Sequence, residues 1–121
     1  MIEIKNLTKK FDDKVAVNDI SLQIQEGEIL GLLGENGAGK TTTLRMMATM
    51  LKPSAGSIQI AGYDSVKEDS KVRENIGILF GGETGLYDRL TARENIEYFG
   101  KLYDMSKEEL DAQIKKISEV L

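Results

Sequence analysis

Apolar and polar residues alternate near the start of this chain. Ile2 and Ile4 sit between polar neighbours, and Ile20, Leu22 and Ile24 repeat the pattern. A period of two sets one face of a strand against a core and the other in water. These segments predict strands, with another short one around Val15 to Val17 and turns at Asp12-Asp13 and Glu26-Gly27-Glu28. Ile29-Leu30-Gly31-Leu32-Leu33 does not alternate. Apolar on both faces, it predicts a central, buried strand. Leu44, Met47, Ala48 and Leu51 then follow a helical spacing, with Pro53 and Gly56 to stop the helix. Ser57 to Ala61 alternates through Ile58 and Ile60 and predicts an edge or antiparallel strand. The charged stretch from Ser65 to Asn75 predicts a helix, and Ile76 to Phe80 a second apolar strand. The remainder reads as helical. Thr91-Ala92-Arg93-Glu94 and Ser106-Lys107-Glu108-Glu109 both have the form of a capping box. Ile96, Phe99 and Tyr103 mark one apolar stripe, and Leu110, Ile114, Ile117 and Leu121 the next.

Glycine adds the first chemical information. Five of the 12 glycines fall between Gly27 and Gly39, between an apolar run and a helix. Such a cluster indicates backbone that must approach something closely. Gly34-Glu35-Asn36-Gly37-Ala38-Gly39-Lys40-Thr41 satisfies G-x-x-x-x-G-K-[ST]. Polyphosphate oxygens need several donors at once, and backbone N–H groups supply them when no side chains intrude. The loop opens a helix whose first N–H groups are unpaired and whose end is positive. Asn36, Gly37, Ala38 and Gly39 would form the cradle. Lys40 would reach the β- and γ-phosphates, and the Thr41 hydroxyl would ligate Mg²⁺. Thr42 is expected to donate to the α-phosphate. Four fixed positions recur by accident in roughly one chain of this length in a few hundred. The preceding strand and following helix make chance a poorer account.

Composition sets limits around that reading. The 121 residues suit one ordinary domain or part of a larger one. The formal charge of −4 argues against a general nucleic-acid binder, yet allows local positive potential for a polyanion. There are no cysteines, so disulfides and thiolate metal sites are excluded. There are no histidines, so any catalysis proceeds without imidazole. No apolar run approaches the ~20 residues of a membrane helix.

The wider sequence resembles the nucleotide-binding domain of ABC transporters. The resemblance runs through Leu7-Thr8-Lys9-Lys10-Phe11, Ala16 to Leu22, Glu26-Gly27-Glu28-Ile29 and Gly34 to Thr42. Pro53-Ser54-Ala55-Gly56-Ser57-Ile58, Gly85-Leu86-Tyr87 and Leu90 to Asn95 continue it in order. The later segments are most similar to exporter ATPases of the bacterial and archaeal drug and sodium-extrusion type. The resemblance implies an α/β fold: a P-loop NTPase core, an N-terminal antiparallel β-subdomain and the beginning of an α-helical subdomain. Residues 1–87 would hold the first two and 88–121 the third. It implies ATP and Mg²⁺ as cofactors, and Phe11 stacked on adenine, where Tyr is more usual. A core Phe at a strand end is the alternative. Val17 would line the sugar or base, or belong to the core. Leu86, Tyr87 and Leu90 would face a membrane-spanning transporter subunit, or pack within the helical subdomain. A second nucleotide-binding domain would complete a dimer, peripheral on the cytoplasmic face of the membrane.

Some of the family's parts have no counterpart here. The family's Gln after the second buried strand falls at Gly81 or Gly82. Glu83 could replace it, or face solvent while Mg²⁺ keeps an extra water. L-S-G-G-Q, an apolar run ending in Asp-Glu, and the switch histidine are missing from the sequence. The apolar stripe of the last helix runs to Leu121 with no capping Gly, Asn or Pro, which suggests a cut end. The expectation is ATP binding with negligible hydrolysis by this chain alone. A non-catalytic nucleotide-binding fragment and an ABC-type ATPase unconnected with transport are the competing readings.

Overall fold

The computed structural model describes residues 1–79 and 86–121. They form two compact units, Met1–Ile78 and Leu79–Leu121. The first is built on a four-stranded antiparallel sheet in the order β2-β1-β3-β4. Its strands are β1 (Ile2–Phe11), β2 (Lys14–Ile24), β3 (Ala55–Ile60) and β4 (Tyr63–Asp64). Helices α1 (Lys40–Met47) and α2 (Asp69–Glu74) belong to the same unit.

The alternation near the N-terminus becomes this sheet directly. Ile4 and Leu7 of β1, Val17 of β2, and Ile58 and Ile60 of β3 enter one core with Met46 of α1 and Val72 of α2. The segments around Val15 and Ile20 join into a single strand. A bulge absorbs the change of phase between them: β1 and β2 slip in register at Ile4/Leu7, Leu7/Lys9 and Lys9/Lys10. Asn6 and Asp19 take positive φ values of 48° and 49° there. Their side chains meet, Asn6 Nδ2 donating to Asp19 Oδ1 at 2.9 Å. Short polar side chains tolerate this backbone region best, which suits Asn and Asp to the bulge. β3 is an interior strand between β1 and β4, so its antiparallel pairing matches expectation and an edge position does not.

Three expectations are corrected. The helix after the glycine-rich loop ends at Met47, and Thr49 turns left-handed with φ 63°, well before Pro53. Its buried residues are Thr43 and Met46, while Leu44 is 44% exposed. The apolar stripe nevertheless holds at Ala48, which is buried, and at Met47 and Leu51, which pack half-buried against the core; Leu44 alone departs from it. The helix expected over Ser65 to Asn75 is confined to Asp69–Glu74, behind a turn at Ser65–Lys67. Neither the expected central strand at Ile29 to Leu33 nor the second apolar strand from Ile76 forms among the described residues. Residues 28–35 and 76–79 have no regular structure, and Ile29, Leu33 and Leu79 are almost wholly exposed. A two-faced apolar strand is stable only when neighbours take its N–H and C=O groups. No described strand flanks either segment. The expectations for Phe80 and for Gly81, Gly82, Glu83 and Thr84 lie outside the described residues.

The second unit contains α3 (Ala92–Leu102) and α4 (Lys107–Val120). Both capping boxes form. Thr91 Oγ1 accepts from Glu94 N–H, Ser106 Oγ accepts from Glu109 N–H, and each glutamate accepts in return. Gly100 lets the two helices meet closely, since a Cβ there would stand 2.1 Å from Leu110 Cδ2. Leu110 and Ile114 are buried, while Ile117 and Leu121 remain exposed. Asn95, which is 6% exposed, ties the preceding loop to α3. Its Oδ1 accepts from Tyr87 N–H at 2.8 Å, and its Nδ2 donates to the carbonyls of Tyr87, Leu90 and Thr91. Tyr87 also meets Tyr98 edge-on at 5.1 Å, and Leu86 is 73% exposed.

Two consequences are measurable. Asn95→Ala removes those partners and leaves the Tyr87 amide unpaired. It should destabilise the second unit by about 1–3 kcal/mol, read as faster hydrogen exchange at Tyr87. In the first unit, the Asp64 carboxylate accepts from the N–H groups of Lys67 and Val66, both at 2.9 Å. These bonds hold its pKa below the usual 3.8. The unfolded state therefore takes the proton more readily. The stabilisation is present above the ordinary carboxylate value and is lost as pH falls through the lower folded value. Denaturant unfolding of Asp64→Ala should show a deficit at neutral pH that closes in acid.

Candidate functional site

The glycine-rich loop is held by its own backbone and by β2. Ala38 N–H donates to Glu35 O at 3.1 Å, closing a turn through Asn36 and Gly37. Gly39 is the N-cap of α1 and takes φ 93°, a left-handed conformation. A Cβ at Gly39 would lie 2.5 Å from Ala16 O and 3.2 Å from Val17 Cγ2. The motif's second fixed glycine thus serves two needs, a left-handed turn and contact with the backbone of β2. Thr43 completes the junction, its N–H and Oγ1 both donating to Gly39 O at 2.9 and 2.8 Å.

Packing loop against strand makes a cleft of about 380 Å³. Small-molecule sites usually occupy about 300–1,000 Å³. Phe11, Lys14 and Ala16 line it from the β1–β2 hairpin, and Asn36, Gly37, Gly39, Lys40, Thr41 and Thr42 from the loop and helix. The lining carries two lysines and no carboxylate, although the chain is acidic overall. No side chain caps the start of α1, so its first N–H groups lack an intrahelical partner, and the residues that carry them, Lys40, Thr41 and Thr42, line the cleft. Lys40 Nζ donates to Gly34 O, which parks the ammonium within the loop. An anion with several oxygens suits this donor set. A divalent cation has only neutral side-chain oxygens in the lining, those of Asn36, Thr41 and Thr42. Among the described residues no group of three or more acidic, His or Cys side chains could hold a metal by itself. Any metal here would depend on the ligand's own oxygens.

Most of the residues expected from sequence come together. Phe11, Asn36, Gly37, Gly39, Lys40, Thr41 and Thr42 share the cleft. Val17 does not: it is 2% exposed and belongs to the core. Ala38 lies outside the lining and packs toward Gly34, whose Cβ would be 3.2 Å from Ala38 Cβ. Sequence reading missed Lys14 and Ala16. The two-residue turn at Asp12-Asp13 pairs Lys14 with Phe11 and was the signal that could have found Lys14.

The family model described as "ABC transporter" matches residues 17–121. The ABC transporter ATP-binding protein NatA of Bacillus subtilis is 52% identical, over 98% of this chain and 50% of its own length. The daunorubicin resistance ATP-binding protein DrrA3 of Streptomyces coeruleorubidus is 37% identical, over 98% of this chain and 37% of its own. The chain thus spans half or less of these relatives. Among solved structures, the ATP-binding subunit of an ABC transporter superposes with a TM-score of 0.75 at 29% identity, covering 88% of this chain and 44% of that one. The dimeric bacterial ABC transporter cassette MJ0796 gives 0.74 at 32% identity, covering 91% and 52%. The α/β fold with an antiparallel sheet is therefore that of ABC ATPase cassettes.

Gly39 offers a direct test of the cleft. Gly39→Ala forces a methyl against Ala16 O in a left-handed backbone. The expected cost is about 1–3 kcal/mol of stability, seen in thermal unfolding, together with loss of polyphosphate binding by calorimetry. Unchanged affinity would contradict the described loop geometry.

Proposed function

This chain belongs to the ABC transporter family, and from that premise we propose that it is the nucleotide-holding part of an exporter ATPase subunit. The observation that carries this is the cleft joining Phe11 to the loop over Asn36 to Thr42. ATP would lie along it, with adenine on Phe11 and the triphosphate on the loop's N–H groups. Lys40 would leave Gly34 O to neutralise the β- and γ-phosphates, and Thr42 would donate to the α-phosphate. Thr41 would ligate Mg²⁺, with phosphate oxygens and water completing the shell. Such an ion supplies charge neutralisation on the phosphates when bound.

DrrA3, named for daunorubicin resistance, supports the exporter assignment, and NatA supports that of an ATP-binding protein of an ABC transporter. A membrane-spanning subunit is the proposed partner, met through the loop carrying Leu86 and Tyr87. A second nucleotide-binding domain is the other, as in the dimeric cassette. The site would then work on the cytoplasmic face of the membrane. No helix among the described residues is long and apolar enough to cross it. Residues 1–87 would hold nucleotide and 88–121 would begin the helical part. ATP hydrolysis is a property of the family. For the present chain we propose binding without appreciable turnover, because its sequence contains no signature motif, Asp-Glu pair or histidine.

Calorimetric titration of ATP with Mg²⁺ tests the site. Lys40→Ala should weaken binding at least tenfold, through loss of a full charge at the phosphates. Phe11→Ala should cost about 1–3 kcal/mol, the usual worth of an aromatic stacked on a base. If neither change moves the affinity, the site assignment fails.

A further inference from the structure

Phe11 has a partner that is not part of the cleft lining. The Lys9 ammonium lies 5.1 Å from the Phe11 ring centroid. Both residues belong to β1 and stand two apart, so their side chains share one face of the strand. Lys9 does not line the cleft, whereas Phe11 does.

The lysine is itself fixed. Its Nζ donates to Lys52 O at 2.8 Å. That carbonyl belongs to a segment fastened to β1 on both sides of Lys9. Ser54 N–H donates to Thr8 O at 2.8 Å, and Lys10 N–H donates to Ser54 Oγ at 2.9 Å. Pro53 removes backbone freedom between those points and biases Lys52 toward an extended conformation. A long, flexible side chain is thus held at its tip against a rigid acceptor.

We propose that Lys9 is a positioning residue for the nucleotide base, acting through Phe11. The ammonium, anchored at Lys52 O, fixes the plane of an otherwise 43% exposed ring for the ligand's base. It also draws ring electron density toward itself, which lowers π–π repulsion with a stacked purine. This rests on the proposed placement of ATP and adds the group that prepares its base platform.

The experiment is calorimetric titration of ATP and of inorganic triphosphate, each with Mg²⁺. The proteins are wild type, Lys9→Met, Lys9→Arg, Phe11→Ala, the Lys9→Met/Phe11→Ala double variant and Lys40→Ala. Lys9→Met keeps the length of the stem and loses the ammonium, with its charge and its bond to Lys52 O. It should weaken ATP about two- to fivefold and leave triphosphate binding unchanged. Unchanged triphosphate binding also reports an intact fold. Lys9→Arg should restore ATP affinity, since guanidinium stacks on rings and donates to carbonyls. In the Phe11→Ala background Lys9→Met should do nothing further. Equal loss for both ligands, a loss that persists without Phe11, or no loss at all overturns the proposal. If Lys40→Ala leaves ATP binding intact, the nucleotide site itself fails. If Lys40→Ala weakens ATP and Lys9→Met does not, the role of Lys9 alone fails.

Discussion

Everything at the cleft depends on how closely Gly39 approaches the backbone of β2. A loop that offers N–H groups to an anion must be stiff before the anion arrives. Otherwise the ordering cost would consume the binding energy. The contact with Ala16 O supplies that stiffness without a side chain. It also fixes the β1–β2 hairpin relative to α1, so a ring at the end of β1 and the start of α1 line the same space. The sheet's core, with Met46 of α1 packed among Ile4, Leu7, Val17 and Ile58, holds both sides of that contact in place. Base platform and phosphate cradle are therefore parts of one packed body.

The loop and the antiparallel strands were legible in the sequence, because local pattern decides them. Alternation at Ile2, Ile4, Ile58 and Ile60, the two capping boxes and the glycine spacing all specify structure within a few residues. Legibility ended where a residue's fate depends on distant partners. Leu44 and Met46 are both good helix residues, and only the position of the sheet decides which is buried. Ile29 to Leu33 reads as a central strand on hydropathy alone, yet strand formation needs hydrogen-bonding neighbours that pattern does not count. Val17 illustrates the same limit within the site. It stands next to Ala16 in the chain, and the pleat sends it to the core while its neighbour reaches the cleft.

The two units carry different kinds of interaction. The first is organised by a sheet and buried aliphatic residues. The second relies on caps, on one buried asparagine and on a glycine that lets α3 and α4 approach. Asn95 is costly to bury, and its four bonds to the 87–91 loop offset that cost. A loop so tethered keeps Tyr87 on the surface of α3, in contact with Tyr98 and Phe99.

The exposed stretch from Ile29 to Leu33 has a consequence in colloidal terms. It is rich in β-compatible side chains and contains neither a charge nor a proline, and its backbone groups are not committed to a sheet. Such a segment is adhesive toward copies of itself. Against it stands a net charge of only −4, whose repulsion is weak and is screened by added salt. The solution behaviour of this chain is therefore a contest between short-range stickiness at one segment and long-range repulsion over the whole surface. Dilution and low ionic strength favour the dispersed state.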